Sequence, residues 1–297
     1  MMDLLTIFNQ PNSLAVDITG RCNLSCGHCY FHRYDHNDEE ELTVDSWRER
    51  IRELKARHHL VFAMHLGGEP LLRPDVVTAI SDIIRYNVVY TNGSLSIPRL
   101  PRCVVAVTID SIRNRETING LPIERTEEVI ATTSARTVGA MTVMGSNRHE
   151  IAEVVNHCSG LDVRGMLFNF YVPMKGEDCP QRMTLKERDE AIRDIRALRR
   201  EYPGFILNSD AMLRLTTSKY APEIMSRCPI RSNVICLDAG GRRKEPCTFG
   251  PKAECDQCGA QAAFMHQAAF TEFDPETFYG FMWGVTHGRP LFGGYRR

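Results

Sequence analysis

Cys22-Asn23-Leu24-Ser25-Cys26-Gly27-His28-Cys29-Tyr30 places three thiols within eight residues, directly after an apolar segment, Leu14-Ala15-Val16-Asp17-Ile18, that reads as a strand. Thr19-Gly20 closes the strand and delivers the loop from its C-terminal end. α/β folds keep their chemistry at that end of their strands. A loop of this length can wrap a metal centre, and the rest of the chain reads as the scaffold for one.

Working outward, residues 43–55 carry Val44, Trp47, Ile51 and Leu54 at helical spacing, after an acidic run, 35–41, that reads as a solvated turn. Residues 60–66 form a second strand that runs into Gly67-Gly68-Glu69-Pro70-Leu71, and Pro74 opens a helix over 74–84. Further strands are expected at 88–90, ending in Thr91-Asn92-Gly93, and at 104–109, ending in Asp110-Ser111. Two more are expected at 138–144 and at 163–172, with helices at 126–135 and 149–158 between. Six strand and helix units argue an α/β fold, a partial (β/α)6 TIM-like barrel. Thr184 and Glu187 form a capping box for a helix over 184–200. Beyond Pro203 the pattern gives way to a small cysteine-rich C-terminal extension, so the expected domains are a core at 1–205, with its connecting helix, and an extension at 206–297.

The chain has 297 residues and a formal charge of -1, which provides no field to attract a nucleic-acid backbone. No run of eighteen apolar residues and no signal-peptide pattern is present, so no transmembrane segment is expected and the location expected is cytoplasmic. Eleven cysteines, an odd number in a long chain, gather in two clusters at opposite ends, a distribution that metal ligation explains better than disulfides.

Three thiolates from one loop leave a cubane iron-sulfur cluster with one iron free of protein ligands, whereas a ferredoxin run supplies a fourth cysteine. Zinc held by the three cysteines with His28 or His32 is the competing reading, and the position after the first strand of a barrel argues against it. Cys22-x-x-x-Cys26-x-x-Cys29 with Tyr30, followed after the second strand by Gly67-Gly68-Glu69-Pro70, resembles the signature of the radical S-adenosylmethionine (SAM) superfamily over residues 12–172. The resemblance implies that Cys22, Cys26 and Cys29 hold a [4Fe-4S] cluster with SAM at its open iron. It further implies that Gly67, Gly68 and Glu69 meet the methionine amino group, that Tyr30 lies near the adenine, and that Asn92, Thr108 and Asp110 contact the ribose or shape the pocket. Asp110 reads equally as a helix cap or turn residue. His28 is either a hydrogen-bond partner of the cluster or exposed in its loop; His65 is either a lumen residue or a satisfied buried histidine; Asn169 and Tyr171 are lumen or core.

In the C-terminal run, Gly240 and Gly241 suggest a hairpin that brings Cys228 and Cys247 together, and Cys255-Asp256-Gln257-Cys258 closes the set. Cys228, Cys247, Cys255 and Cys258 are the expected ligands of a second metal site, with Cys236 a neighbour in an apolar strand. The run resembles the SPASM and twitch auxiliary-cluster extensions of radical SAM enzymes, with different cysteine spacing, and is similar to the tail of the hopanoid adenosyltransferase group. A second [4Fe-4S] cluster is the expected occupant, with zinc and no metal as the alternatives. Cys103, Cys158 and Cys179 read as core or surface thiols.

The resemblance implies an enzyme that reductively cleaves SAM to a 5'-deoxyadenosyl radical, with a reducing partner such as flavodoxin or ferredoxin. The radical would serve hydrogen abstraction or radical addition on a small metabolite or lipid. Only about twelve residues precede the first strand, which favours a small substrate over the alternative, a maturase of ribosomally made peptides. A non-catalytic iron-sulfur electron carrier is the third reading, and it would need neither Gly67-Gly68-Glu69 nor a SAM pocket.

Overall fold

The computed structural model describes residues 11–32, 40–114 and 118–280. Strands β1 (Ser13–Asp17), β2 (Phe62–Leu66), β3 (Tyr86–Thr91), β4 (Cys103–Thr108), β5 (Arg136–Val143) and β6 (Met166–Phe170) line up in chain order. Every pairing between them is parallel. The sheet curls into an open, barrel-like array, as the six strand and helix units of the sequence require. Runs such as Cys103-Val104-Val105-Ala106-Val107 suit strands covered on both faces, where branched side chains pack and no polar alternation is needed.

The outer face is covered by α1 (Val44–Arg57), α2 (Pro74–Ser81), α3 (Ile123–Thr132), α4 (Ile151–Ser159) and α5 (Leu185–Glu201). Alternation along β1 is clean: Leu14 and Val16 join the helix-side core with Trp47, Ile51 and Ile80, while Ala15 joins a second core on the inner face. Each fully buried side chain of this kind contributes about 1.5–3 kcal/mol, so α1 is held by Trp47, Ile51 and Leu54 rather than by propensity. Thr43 caps α1 by accepting from the Ser46 amide, and Thr184 with Glu187 forms the expected capping box at α5.

Element ends differ from the sequence expectation by a few residues. The 126–135 helix starts at Ile123, where Pro122 presents an extended backbone ahead of the first turn, and Thr126 is buried inside it. The 163–172 strand shortens to Met166–Phe170 ahead of Pro173. Residues 35–39 of the acidic run lie outside the described residues.

The larger addition lies beyond residue 205. A seventh strand, β7 (Val234–Leu237), pairs parallel with β1 in the register Ser13 to Val234, giving the order β6-β5-β4-β3-β2-β1-β7. Residues assigned to the extension therefore supply a strand of the main sheet. Short helices Asp210–Leu215, Ala221–Ser226 and Gln261–His266 pack Met212, Met225 and Phe264 against Phe62 and Met64 of β2. The expected hairpin is present: the Gly241 amide donates to the Asp238 carbonyl and the Lys244 amide to the Cys236 carbonyl, at 2.9 and 2.8 Å.

Candidate active site

The cysteine loop is fastened at its root by backbone. Ile18 N donates to Leu66 O, Gly68 N to Thr19 O and Glu69 N to Arg21 O, each at 2.9 Å. The two glycines make this approach feasible. Gly67 has φ +106°, and a Cβ on Gly68 would lie 2.0 Å from the Arg21 carbonyl oxygen. Glu41 closes the same root, accepting from Thr19 Oγ1 at 2.5 Å, Gly20 N at 2.9 Å and Arg73 Nη1 at 3.1 Å. Burial would raise its carboxyl, but those donors together hold it below the ordinary carboxylate range.

Glu69 is buried, and both of its oxygens are used. Oε1 accepts from Leu71 N at 2.9 Å and Thr91 Oγ1 at 2.8 Å, and Oε2 accepts from Asn92 N at 2.8 Å. Burial raises its pKa against the pull of these donors. The carboxylate thus locks the turn after β2 to the end of β3. Asn92 in turn brings its amide nitrogen to 3.0 Å from Asn23 Oδ1 and 3.8 Å from Cys22 Sγ.

Cys22, Cys26 and Cys29 face one cavity. The Cys26 thiol is pushed up to about 12, chiefly by burial and then by its neighbours Cys29, Asp110 and Cys22. Asp110, fully buried at the end of β4, accepts from the Thr142 amide at 2.7 Å, and its Oδ2 lies 3.1 Å from His28 Nε2. His28 is therefore a tie between the cysteine loop and β4, not an exposed loop residue. Thr108 lines the same cavity.

Tyr30 packs edge-on against Phe249 from the C-terminal segment, with ring centroids 4.9 Å apart. Behind it Lys244 Nζ sits 2.6 Å from Asp17 Oδ2, both side chains buried, with the ammonium 5.9 Å from the Tyr30 ring. Burial raises Asp17 to about 6 in spite of Lys244. Asp17 is the lone charge in the Leu14 to Ile18 run, a signal that the sequence reading passed over. Lys244 was beyond reach, since nothing local marks a partner so far along the chain.

Cys228, Cys247, Cys255 and Cys258 converge. Burial first, then Cys228, Cys247 and Cys255, push the Cys258 thiol up to about 12, and Cys247 rises to about 11 by burial with Cys228 and Cys255 as neighbours. Cys236 sits beside Cys247 from β7. The Cys258 end docks on β6, where Phe170 N donates to Gly259 O and a Cβ on Gly259 would lie 2.4 Å from the Phe170 Cβ. Arg182 grips Glu254 through two 2.8 Å bonds.

One cavity of about 500 Å³ joins these features. Its wall includes Cys22, Cys26, Cys29, Tyr30, Gly67, Gly68, Glu69, Asn92, Thr108 and Asp110, and also Cys228, Cys247 and Cys258; Cys255 stands outside that wall. Between the two thiol groups the sheet presents Phe62, Met64, Val88, Val104 and Ala106. Asn169 and Tyr171 also line the cavity, as one of their sequence readings has it, with Asn169 Oδ1 accepting from Gln261 N at 3.3 Å. His65 takes the other of its two readings. It is fully buried off the cavity wall, with Nε2 3.0 Å from Asn87 Oδ1, and burial lowers its pKa to about 4.

All eleven cysteines are free thiols. Among the described residues no three His, Cys, Asp or Glu side chains close on the position of a single metal ion. Each thiol set nevertheless offers soft sulfur donors, mutually adjacent and with no disulfide to break, which suits an iron-sulfur cluster. The first set has three such donors and opens onto the cavity.

A parallel, open barrel with a three-thiol loop after its first strand defines a class of SAM-dependent radical enzymes, and residues 16–178 match the Radical SAM superfamily. The chain belongs to that superfamily and is an enzyme of it. Over 104 residues it is 33% identical to the AdoMet-dependent heme synthase of Methanosarcina barkeri, covering 33% of this chain and 28% of that protein. Over 88 residues it is 34% identical to the PqqA peptide cyclase of Gluconobacter oxydans, covering 30% of this chain and 24% of that protein. The chain thus spans less than a third of either relative. Streptococcus suis SuiB bound to its precursor peptide SuiA superposes with a TM-score of 0.64 at 15% identity, covering 86% of this chain and 65% of that one. That likeness establishes the fold.

Proposed function

We propose that the chain is a radical SAM enzyme that abstracts hydrogen from an apolar carbon of a peptide, with its first [4Fe-4S] cluster on Cys22, Cys26 and Cys29 and a second on Cys228, Cys247, Cys255 and Cys258. The observation that carries the proposal is the single apolar-walled cavity onto which both thiol sets open. Likeness to a peptide cyclase, and the fold shared with a peptide-bound enzyme, favour a peptide over the free metabolite expected from the sequence. When bound, the first cluster and SAM supply a 5'-deoxyadenosyl radical once an electron arrives from a flavodoxin or ferredoxin.

This chain's own residues do the rest. The Gly67 and Gly68 backbone brings the turn after β2 against the root of the cysteine loop, where the methionine end of SAM would lie. Glu69, with both oxygens committed, orients that turn rather than the ligand directly. Tyr30 would offer its ring to the adenine, with Phe249 packed edge-on against it. Asn92 and Thr108, on the cavity wall, would contact the ribose, and Asp110 positions His28 beside the loop. Phe62, Met64, Val88 and Val104 exclude water from the reacting carbon and place it by shape.

The same apolar wall favours a second reading, a hydrophobic metabolite or lipid. The test is anaerobic turnover with SAM and dithionite, measuring 5'-deoxyadenosine above the substrate-free rate with size-fractionated extract, protease-treated extract and a lipid extract. Stimulation by the peptide fraction that protease abolishes is the expected result. Stimulation by the lipid extract alone would replace the peptide reading, and equal deoxyadenosine from a Cys26→Ala variant would remove the catalytic role of the loop. No described helix is long and apolar enough to cross a membrane.

A further inference from the structure

Arg188 breaks the pattern of its own helix. It lies on the buried face of α5 among Ala191, Ile192 and Ile195, only 3% exposed. A buried guanidinium is costly unless charge and hydrogen bonds compensate it. Nη1 donates to the carbonyls of Gln257 and Cys258 at 3.2 and 2.9 Å. Among the described residues, Nε and Nη2 are buried with no acceptor. Its acidic neighbours are the Cys258 thiol, which burial keeps protonated, and Asp189, and Asp189 is already occupied by Ser218, which donates through N at 2.8 Å and Oγ at 2.5 Å. A second arginine reaches the same thiol set from another element: Arg231 Nη2 lies 3.7 Å from Cys255 Sγ.

We infer that Arg188 is a positioning residue for the second cluster, its two spare nitrogens donating to thiolate or sulfide sulfur beside Cys258 and its charge offsetting that of the cluster. The inference rests on the second-cluster assignment proposed above. A four-thiolate cubane is net negative and gains one more negative charge on reduction, so a buried cation with N–H donors favours the reduced state. Charge and hydrogen bonds to sulfur are the levers that set such potentials. Two buried donor nitrogens without a protein acceptor are what this role requires, since cluster sulfur would be their acceptor.

The experiment uses the full chain with Cys22, Cys26 and Cys29 all replaced by Ala, so that only the C-terminal set can hold iron. Iron and sulfide are counted after anaerobic reconstitution, and the reduced fraction is followed by electron paramagnetic resonance in a redox titration. The parent is expected to hold about four irons. Arg188→Gln is expected to hold the same iron with a reduced-to-oxidised ratio at least tenfold lower at fixed potential, a fall of about 59 mV for one electron. Arg188→Lys, which keeps the charge and loses the planar fork, is expected to fall between the two.

A parent with no iron, or with zinc instead, overturns the second-cluster assignment itself. A parent with four irons and an Arg188→Gln midpoint unchanged from it overturns only the role of Arg188. If Arg188→Gln loads no iron, Arg188→Lys decides: iron at or near the parent midpoint supports the inference, and failure of Lys to load as well overturns it in favour of a packing role.

Discussion

Gly68→Ala tests whether the turn after β2 holds the cysteine loop in place. A Cβ on Gly68 would sit 2.0 Å from the Arg21 carbonyl oxygen, 2.5 Å from the Arg21 carbonyl carbon and 3.1 Å from the Cys22 nitrogen. All three are backbone, so no side chain can swing aside. Restoring ordinary contact needs a separation of roughly 1.5 Å between the two segments. That movement disrupts Gly68 N to Thr19 O and Glu69 N to Arg21 O, whose loss costs about 1 kcal/mol each. With overpacking strain of about 1–3 kcal/mol, the metal-free protein should lose about 3–5 kcal/mol and melt roughly 5–10 °C lower. Gly27→Ala is the matched control in the same loop: its Cβ would meet nothing within 4 Å, so its effect should stay within about 0.5 kcal/mol. Melting of both apo-variants by circular dichroism, followed by iron counting after reconstitution, reads the two effects separately. A Gly68→Ala protein that melts and loads iron as Gly27→Ala does would refute the close-approach argument.

Glu69→Gln leaves one of the donors Leu71 N, Thr91 Oγ1 and Asn92 N facing an amide nitrogen, and should cost about 1–3 kcal/mol in urea unfolding; a loss under about 0.5 kcal/mol would contradict it. Burial lowers His266, like His65, to about 4, below the ordinary histidine range. The unfolded chain then takes up protons first as pH falls through about 6.5, so stability is lost between about pH 6.5 and 4, on the order of 2 kcal/mol per histidine by pH 5. Asp17, raised to about 6, works in the opposite sense over part of that range. The stability difference between pH 7.5 and 5.0 should therefore shrink by about 2 kcal/mol in His266→Leu, and an unchanged difference would refute the assignment. Cutting the chain after residue 205 removes β7 and bares the β1 edge together with Phe62 and Met64, so hydrogen exchange at β1 should lose its protection; a 1–205 fragment with full-length protection there would show the sheet independent of the segment.

The features legible in the sequence are those set by neighbours in the chain. Apolar runs gave the six strands, the period of Val44, Trp47, Ile51 and Leu54 gave α1, and Thr184 with Glu187 gave the start of α5. Local thiol spacing marked both cysteine sets. His65 had two readings, and strand parity could have separated them: Phe62, Met64 and Leu66 line the cavity, so the residue between Met64 and Leu66 points to the helix side. What the sequence left out depends on distant pairing. β7 is only four residues long and becomes a strand by pairing with β1, more than two hundred residues earlier. Lys244 finds Asp17 across 227 residues, and Arg188 meets Cys258 across 70.

The C-terminal segment occupies a position that the sheet order explains. β6 and β7 are the two free edges of the sheet, and the segment touches both. Cys228 and Cys247 flank β7 in the chain, whereas Cys258 precedes Gly259, whose carbonyl bonds Phe170 at the end of β6. The four thiols therefore meet where strand pairing stops, and the open side of the barrel is spanned by cysteine side chains instead of a ladder. The proposed cluster at such a point would couple to folding, because it would join chain segments that backbone hydrogen bonds leave apart. It would also fix the far wall of the cavity relative to the first cysteine loop, through β7 to β1 on one side and through Asp17 to Lys244 behind Tyr30. In a reaction governed by which carbon lies within reach of a radical, wall position is specificity, and a site 1 Å too loose loses it. That is a physical reason for the cysteine-rich segment to be built into the sheet.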